Sequence, residues 1–80
     1  MSDGAILVHA PSDGRVVYLA PPELAGELEL FDGGDVLAHI ERGEDPDPVP
    51  APARGFVFRR LVPDGVDVAA GTPLLVYRNV

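Results

Sequence analysis

Short apolar runs separated by turn residues recur along the whole chain, and no segment shows convincing helical periodicity. Val, Leu and Ile dominate the runs, and residues 27–31 alternate charged and apolar side chains as a half-buried strand does. The best helical candidate, residues 22–26, is at most a single turn. The pattern therefore predicts an all-β sandwich or barrel, with strands at residues 5–9, 15–19, 27–31, 36–40, 55–61 and 73–78.

An internal repeat divides the chain into two similar halves. Residues 10–17 (APSDGRVV) return as residues 51–58 (APARGFVF), and residues 34–40 (GDVLAHI) return as residues 71–77 (GTPLLVY). The offset is 41 residues for the first pair and 37 for the second, so the first half carries four extra residues. Each half alone has too little core to fold, which predicts a sandwich with pseudo-two-fold symmetry. We expect a single domain over residues 1–80, with half-repeats at about 5–41 and 49–78 joined by a hairpin at 42–48.

The segment between the halves is acidic and rich in proline, which indicates an exposed turn. Prolines at positions 46, 48, 50 and 52 leave few N–H groups to donate to a neighbouring strand, and they favour an extended backbone. Residues 32–35 (DGGD) are interpreted as a hairpin turn for similar reasons.

The repeated segments resemble the biotinyl/lipoyl carrier domain family. Residues 49–57 look like the family's V-x-[SA]-P-x-x-G-x-[VI] pattern, and residues 64–74 look like its DG-x-x-V-x-x-G-x-x-L closing motif. Residues 10–16 and 34–37 extend the resemblance to the first half, although Leu28 stands where the family usually has glycine. The resemblance implies a barrel-sandwich hybrid of two four-stranded antiparallel sheets.

The resemblance also implies where a prosthetic group would be attached. In this family the hairpin between the halves presents one lysine, to which a ligase joins biotin or lipoate. Counting back from Gly55 places that position at Glu44, between Gly43 and Asp45, and the chain contains no lysine anywhere. A carboxylate cannot replace the lysine amine as the nucleophile. We therefore expect a divergent member that carries neither biotin nor lipoate, and no other cofactor is predicted.

Composition excludes several classes of function. The chain has no cysteine, so disulfides and thiolate metal sites are ruled out. Its net charge of −7 disfavours binding to nucleic acid and to anionic membrane surfaces. The N-terminal residues lack the features of a signal peptide, and no apolar run approaches about 20 residues. A cytoplasmic location is the resulting expectation.

Candidate residues for catalysis or metal binding are sparse. His9 and His39 are the only histidines, and without further clustered ligands they favour structural roles over a metal site. The chain lacks a G-x-S-x-G nucleophile motif, and no catalytic residue is predicted. Arg54, Arg59 and Arg60 form a basic cluster, for which charge balance is favoured over phosphate binding.

These observations favour a non-catalytic interaction or accessory module, without deciding the question of catalysis. The resemblance suggests as partner a carboxylase, a 2-oxoacid dehydrogenase or another biosynthetic enzyme system. Two alternatives stay open: a small-molecule-binding or enzymatic β-sandwich that has repurposed the carrier fold, and an unmodified lipoyl-like module of a transport assembly. The oligomeric state is left open, and a solvated turn is the simpler interpretation of the acidic hairpin. The candidate interaction residues are Arg42, Gly43, Glu44, Asp45 and Asp47.

Overall fold

The strands of this protein were located in a computed structural model that describes residues 4–19, 23–25 and 28–80. The described residues include no helix, and therefore none with the length and apolar character that a membrane-spanning helix needs. Their strands are β1 (Ala5–His9), β2 (Gly14–Tyr18), β3 (Glu23–Ala25), β4 (Leu28–Leu30), β5 (Val36–Glu41), β6 (Asp47–Pro50), β7 (Gly55–Arg60), β8 (Asp67–Val68) and β9 (Pro73–Asn79).

Two antiparallel sheets enclose the core, which confirms the predicted all-β barrel-sandwich architecture. One sheet has the strand order β1-β9-β7, and the other has the order β6-β5-β2-β8. The first sheet has three strands instead of the expected four, because the segment after β4 joins β7 only through the bridge between Phe31 and Gly55. Strands β3 and β4 pair with each other as a small separate ribbon.

The pseudo-two-fold symmetry extends to the hydrogen bonds of the turns. Strands β6, β5 and β2 of one sheet correspond to β1, β9 and β7 of the other. Strand β8 corresponds to the segment at Phe31, which joins β7 through its bridge to Gly55. The N–H of Gly34 donates to the carbonyl of Ala51, and the N–H of Gly71 donates to the carbonyl of Ala10, each over 2.8 Å. Each sheet contains strands from both the N-terminal and the C-terminal part of the chain, so neither part can form its sheets alone.

The core consists mainly of aliphatic side chains that occupy equivalent positions in the repeat. Leu37 and Leu74 are both buried, as are Ile40 and Tyr77. Tyr77 brings a hydroxyl group into this core, and that hydroxyl donates to the carbonyl of Ala53 over 2.7 Å. The polar end of the largest core side chain is therefore satisfied, as burial of a hydroxyl requires.

Two glycines of the repeated motif allow a neighbouring backbone to approach closely. A Cβ atom at Gly55 would lie 2.0 Å from the carbonyl oxygen of Arg78, and one at Gly14 would lie 2.6 Å from that of Glu41. Both distances are far below van der Waals contact. The glycine in each half of the motif is thus a requirement of strand packing.

Two local interpretations differ from the structure. Residues 23–25 form β3, which pairs with β4, so the best helical candidate, residues 22–26, is extended at these three positions; residues 22, 26 and 27 lie outside the described part of the chain. Residues 32–35 do make a turn, but they do not form a hairpin. Phe31 exchanges two hydrogen bonds with Gly55 in the three-stranded sheet, while β5 belongs to the other sheet, so the turn connects two layers.

Candidate functional site

The predicted interaction residues lie on the turn between β5 and β6, at one edge of the four-stranded sheet. Residues 42–46, called the β5–β6 turn below, are all exposed. Glu44 lies in the middle of this turn, directly after Gly43. Asp47 differs from the other candidates because it already belongs to β6 and is only partly exposed. The structure thus brings all five predicted residues to one loop and its base.

Hydrogen bonds and strand pairing fix the base of the turn. The Ser12 hydroxyl donates to Oδ2 of Asp47 over 2.5 Å, which ties the loop after β1 to the start of β6. Ile40 pairs directly with Asp47, and its own side chain is fully buried. The exposed turn is therefore carried by a well-packed hairpin base.

An open cavity of about 330 Å³ lies beside the turn. Its lining residues are Arg15, Glu41, Gly43, Glu44 and Pro46. Arg15 and Glu41 come from the paired strands β2 and β5, and their side chains form an ion pair of 3.3 Å. Sequence reasoning did not connect Arg15 with this site, because only the β2–β5 register brings it there.

The charge of this region is predominantly negative. The region contains four carboxylates but only two guanidinium groups. The carboxylates belong to Glu41, Glu44, Asp45 and Asp47, and the guanidinium groups to Arg15 and Arg42. Charges on an exposed surface contribute little to stability, but their summed field accelerates encounter with an oppositely charged surface. The arrangement is suited to attracting a basic surface.

The residues of the turn do not fit a biotinyl or lipoyl group. Such a group is joined through an amide bond to a primary amine, whereas Glu44 offers a carboxylate and the whole chain lacks lysine. Neither Gly43 nor Asp45 supplies an amine in its side chain. Chemistry that depends on a tethered cofactor therefore has no attachment point at this turn.

The other polar candidates are dispersed over the fold. His9 lies on β1 and His39 on β5, in different sheets, and the described residues contain no cluster of three or more potential metal ligands. The basic cluster is divided as well. Arg54 forms an ion pair with Asp32, and the guanidinium of Arg60 lies 4.1 Å from the centre of the Tyr18 ring.

The two tyrosines have structural surroundings. Burial raises the pKa of Tyr18 above its usual value of 10.0, although the positive charge of Arg60 opposes the change. Burial also raises the pKa of Tyr77 above the same value. The Tyr18 hydroxyl donates to the carbonyl of Val62 over 2.8 Å, so both phenols act as neutral donors to the backbone.

Solved structures with the same fold include parts of two carboxylases. A single-chain, multi-domain long-chain acyl-CoA carboxylase matches 100% of this chain at a TM-score of 0.77 and 29% sequence identity. The urea carboxylase of Kluyveromyces lactis matches 96% of it at a TM-score of 0.70 and 27% identity. This chain spans only 8% and 6% of those two proteins, respectively. The fold is that of a carrier-like module similar to one part of each carboxylase.

A third structure agrees in fold alone. A putative succinylglutamate desuccinylase/aspartoacylase family protein from Shewanella amazonensis SB2B matches 94% of this chain at a TM-score of 0.71, with 22% identity. This chain covers 20% of that protein. No protein-family model and no curated protein sequence matches the chain.

Proposed function

We propose that this chain is an unmodified carrier-like module that acts by binding a protein partner through the β5–β6 turn. The observation that carries the proposal is Glu44, an exposed carboxylate in the middle of the turn at the position where the family resemblance implies a modified lysine. The module needs no cofactor and performs no catalysis. Its domain extends over residues 1–80, with half-repeats at 5–41 and 49–78.

The geometry of the turn supports a recognition role. The turn residues are exposed, while Asp47 and Ile40 hold the base in a fixed register. A rigid base reduces the conformational entropy that the turn loses when a partner binds. The excess of carboxylates around Glu44 favours a partner with a basic surface. The similarity to parts of two carboxylase chains favours a component of a carboxylase-type enzyme as that partner.

A charge-reversal experiment tests the role of the turn. The full chain serves as bait in an extract of its native host, and recovered proteins are quantified for the wild type, for Glu44→Lys and for Asp67→Lys, which change the net charge equally. Asp67 is an exposed carboxylate on β8, at the edge of the same sheet opposite to β6, so it is the matched control. We expect the turn variant to lose a partner that the Asp67 variant retains. Equal recovery by all three proteins would contradict the proposal.

Intact mass and turnover separate the alternatives. Protein purified from its native host should have the mass of the unmodified sequence, and a mass increase equal to a biotinyl or lipoyl group would refute the proposal. Recovery of no partner, together with turnover of a small molecule, would favour the enzymatic alternative. Recovery of a membrane transporter would favour the transport alternative.

A further inference from the structure

The outer face of the three-stranded sheet is apolar and cationic. Residues that pair across antiparallel strands share a face, and their neighbours along each strand point to the opposite face. Leu75 and Tyr77 are fully buried, whereas Val76 and Arg78, which alternate with them, are partly exposed on the opposite face of β9; Leu74, near the start of the strand, is buried as well. The outer face consists of two cross-strand rows, which are Leu7-Val76-Arg59 and Ala5-Arg78-Phe56.

A β-bulge adds an aromatic side chain to this face. Val57 pairs with Tyr77 and Arg59 pairs with Val76, so Phe58 has no partner residue on β9. In the equivalent pair of the other sheet, β2 and β5 align from Arg15 to Tyr18 without interruption. Strand β7 therefore has one residue more than β2 over the equivalent stretch of the partner strand, and Phe58 occupies the resulting bulge. Bulges re-aim side chains and are over-represented beside functional sites.

Phe58 is the one aromatic side chain in the described part of the chain that is exposed. It is 55% exposed, and Leu7, which lies on β1 across β9 from it, is 48% exposed. The Arg78 guanidinium lies 4.6 Å from the centre of the Phe58 ring, which places a positive charge against the aromatic face. Aromatic residues, phenylalanine among them, and arginine are enriched at protein interfaces.

The symmetry of the fold shows that packing does not require this composition. The positions equivalent to Phe56 and Arg78 in the other sheet hold Arg15 and Glu41, which form an ordinary exposed ion pair. Strands β1, β7 and β9 contain no Asp or Glu, although the chain as a whole has a net charge of −7. The outer face therefore reverses the charge of the rest of the molecule.

We propose that the outer face binds an extended, acidic segment of a partner protein, with an apolar side chain of that segment seated between Phe58 and Leu7. Three strands of about five residues provide a surface of roughly 250 Å². A stable interface between two folded copies needs about 800 Å² on each partner, so the face is suited to a short segment. A carboxylate of the segment would pair with the exposed Arg59, and Arg78 adds positive charge beside it. The surface lies on the other sheet from the β5–β6 turn and does not depend on its role.

The test uses the full chain, labelled with ¹⁵N, and a short synthetic peptide that alternates glutamate with leucine and phenylalanine. We expect salt-sensitive binding, with amide chemical-shift changes concentrated at Leu7, Phe58 and Val76. Arg59→Glu and Phe58→Ser should each weaken binding by about tenfold or more, a change of about 1.4 kcal/mol. Glu44→Gln should bind as the wild type does, which separates this proposal from the role of the turn.

Any one of the following results would overturn the proposal: shift changes centred on residues 42–47, no binding of the peptide, equal binding of a peptide with lysine in place of glutamate, or unchanged affinity in Arg59→Glu. Self-association of the wild type that Phe58→Ser abolishes would also overturn it, because the occupant would then be a second copy. Both substituted side chains are exposed, so the dispersion of the amide spectrum should confirm that each variant is folded.

Discussion

Replacing Gly55 by alanine should lower the free energy of unfolding far more than the same replacement at Gly33. The new Cβ would lie 2.0 Å from the carbonyl oxygen of Arg78 and 2.8 Å from the Cα atom of Asn79. These are backbone atoms of β9, so no side-chain rotation can relieve the overlap. Strand β7 would have to move away from β9 by more than about 1 Å to restore ordinary contact.

The structure allows the size of the effect to be worked out. Overpacking of this kind costs about 1–3 kcal/mol. The displacement also disturbs the two hydrogen bonds of 2.8 and 2.9 Å that join Gly55 to Phe31, at about 1 kcal/mol each. A total of about 3–5 kcal/mol is a large part of the ~4–12 kcal/mol expected for a domain of this size. The corresponding fall in Tm is about 12–40 °C.

Gly33→Ala is the matched control for this substitution. A Cβ atom at Gly33 would make only ordinary contacts, the nearest at 3.5 Å from the Cα atom of Ala53, and the residue does not have a positive φ. We expect Gly33→Ala to be neutral or to stabilise by up to about 1 kcal/mol, through the entropy of the unfolded chain.

Urea unfolding, followed by far-ultraviolet circular dichroism and tyrosine fluorescence, measures both variants. The chain has no tryptophan, so the two tyrosines provide the fluorescence signal. A free energy of unfolding for Gly55→Ala within about 0.5 kcal/mol of wild type would refute the packing argument. Equal destabilisation by Gly33→Ala would refute it as well, because the effect would then not come from the approach of β9.

Three further substitutions or conditions test the polar contacts. Tyr77→Phe removes the 2.7 Å hydrogen bond to the Ala53 carbonyl and should lower the free energy of unfolding by about 1–2 kcal/mol in urea denaturation; no change would mean that water replaces the hydroxyl. Arg54→Ala breaks the ion pair with Asp32; the Arg54 side chain is 47% exposed and that of Asp32 is 61% exposed. The substitution should lower the free energy of unfolding by at most about 1 kcal/mol, and by less in high salt. A larger loss that does not depend on salt, in the same assay, would contradict a surface ion pair. Because the pKa values of Tyr18 and Tyr77 are raised in the fold, the unfolded chain loses its phenolic protons first. The stability contributed by these tyrosines should thus be complete below pH 10.0 and fall as the pH rises from there through the folded-state pKa values, as measured by unfolding at several alkaline pH values. In a Tyr18→Phe, Tyr77→Phe double variant, the free energy of unfolding should fall less steeply with alkaline pH than in the wild type. An equally steep fall would contradict the attribution of this pH dependence to the two tyrosines.

The fold could be predicted from sequence because its strongest signals are local or repeated. The runs at 5–9, 36–40 and 55–60 combine β-branched or bulky apolar residues with flanking turn residues, and they all form strands. Strands β3, β6 and β8 were missed for physical reasons. Two of them have three residues or fewer, and β6 alternates proline with other residues, which only an edge strand tolerates.

The site was predictable only in part, because part of it is made by contacts between distant residues. The acidic hairpin is contiguous in sequence and lies on one loop. The pairing of Arg15 with Glu41 and the hydrogen bond from Ser12 to Asp47 depend on the strand register, which no local pattern specifies. The outer face of the other sheet was not identified at all, because its residues come from three strands and its bulge becomes visible only when β7 is aligned with β9.

The repeat provides an internal comparison that separates packing from function. Where both halves must solve the same packing problem they use the same residue, as Gly14 and Gly55 do beside the neighbouring strand. Where they differ at exposed positions, packing does not account for the difference. Phe58 is such a position: the repeat aligns it with Val17, which pairs with His39 in an uninterrupted register, whereas Phe58 lies at the bulge of β7 and is 55% exposed. A side chain that does not fill the core is best explained by something that binds it, and removing Phe58 should cost at most about 1 kcal/mol of stability, the value of its contact with Arg78, while weakening binding.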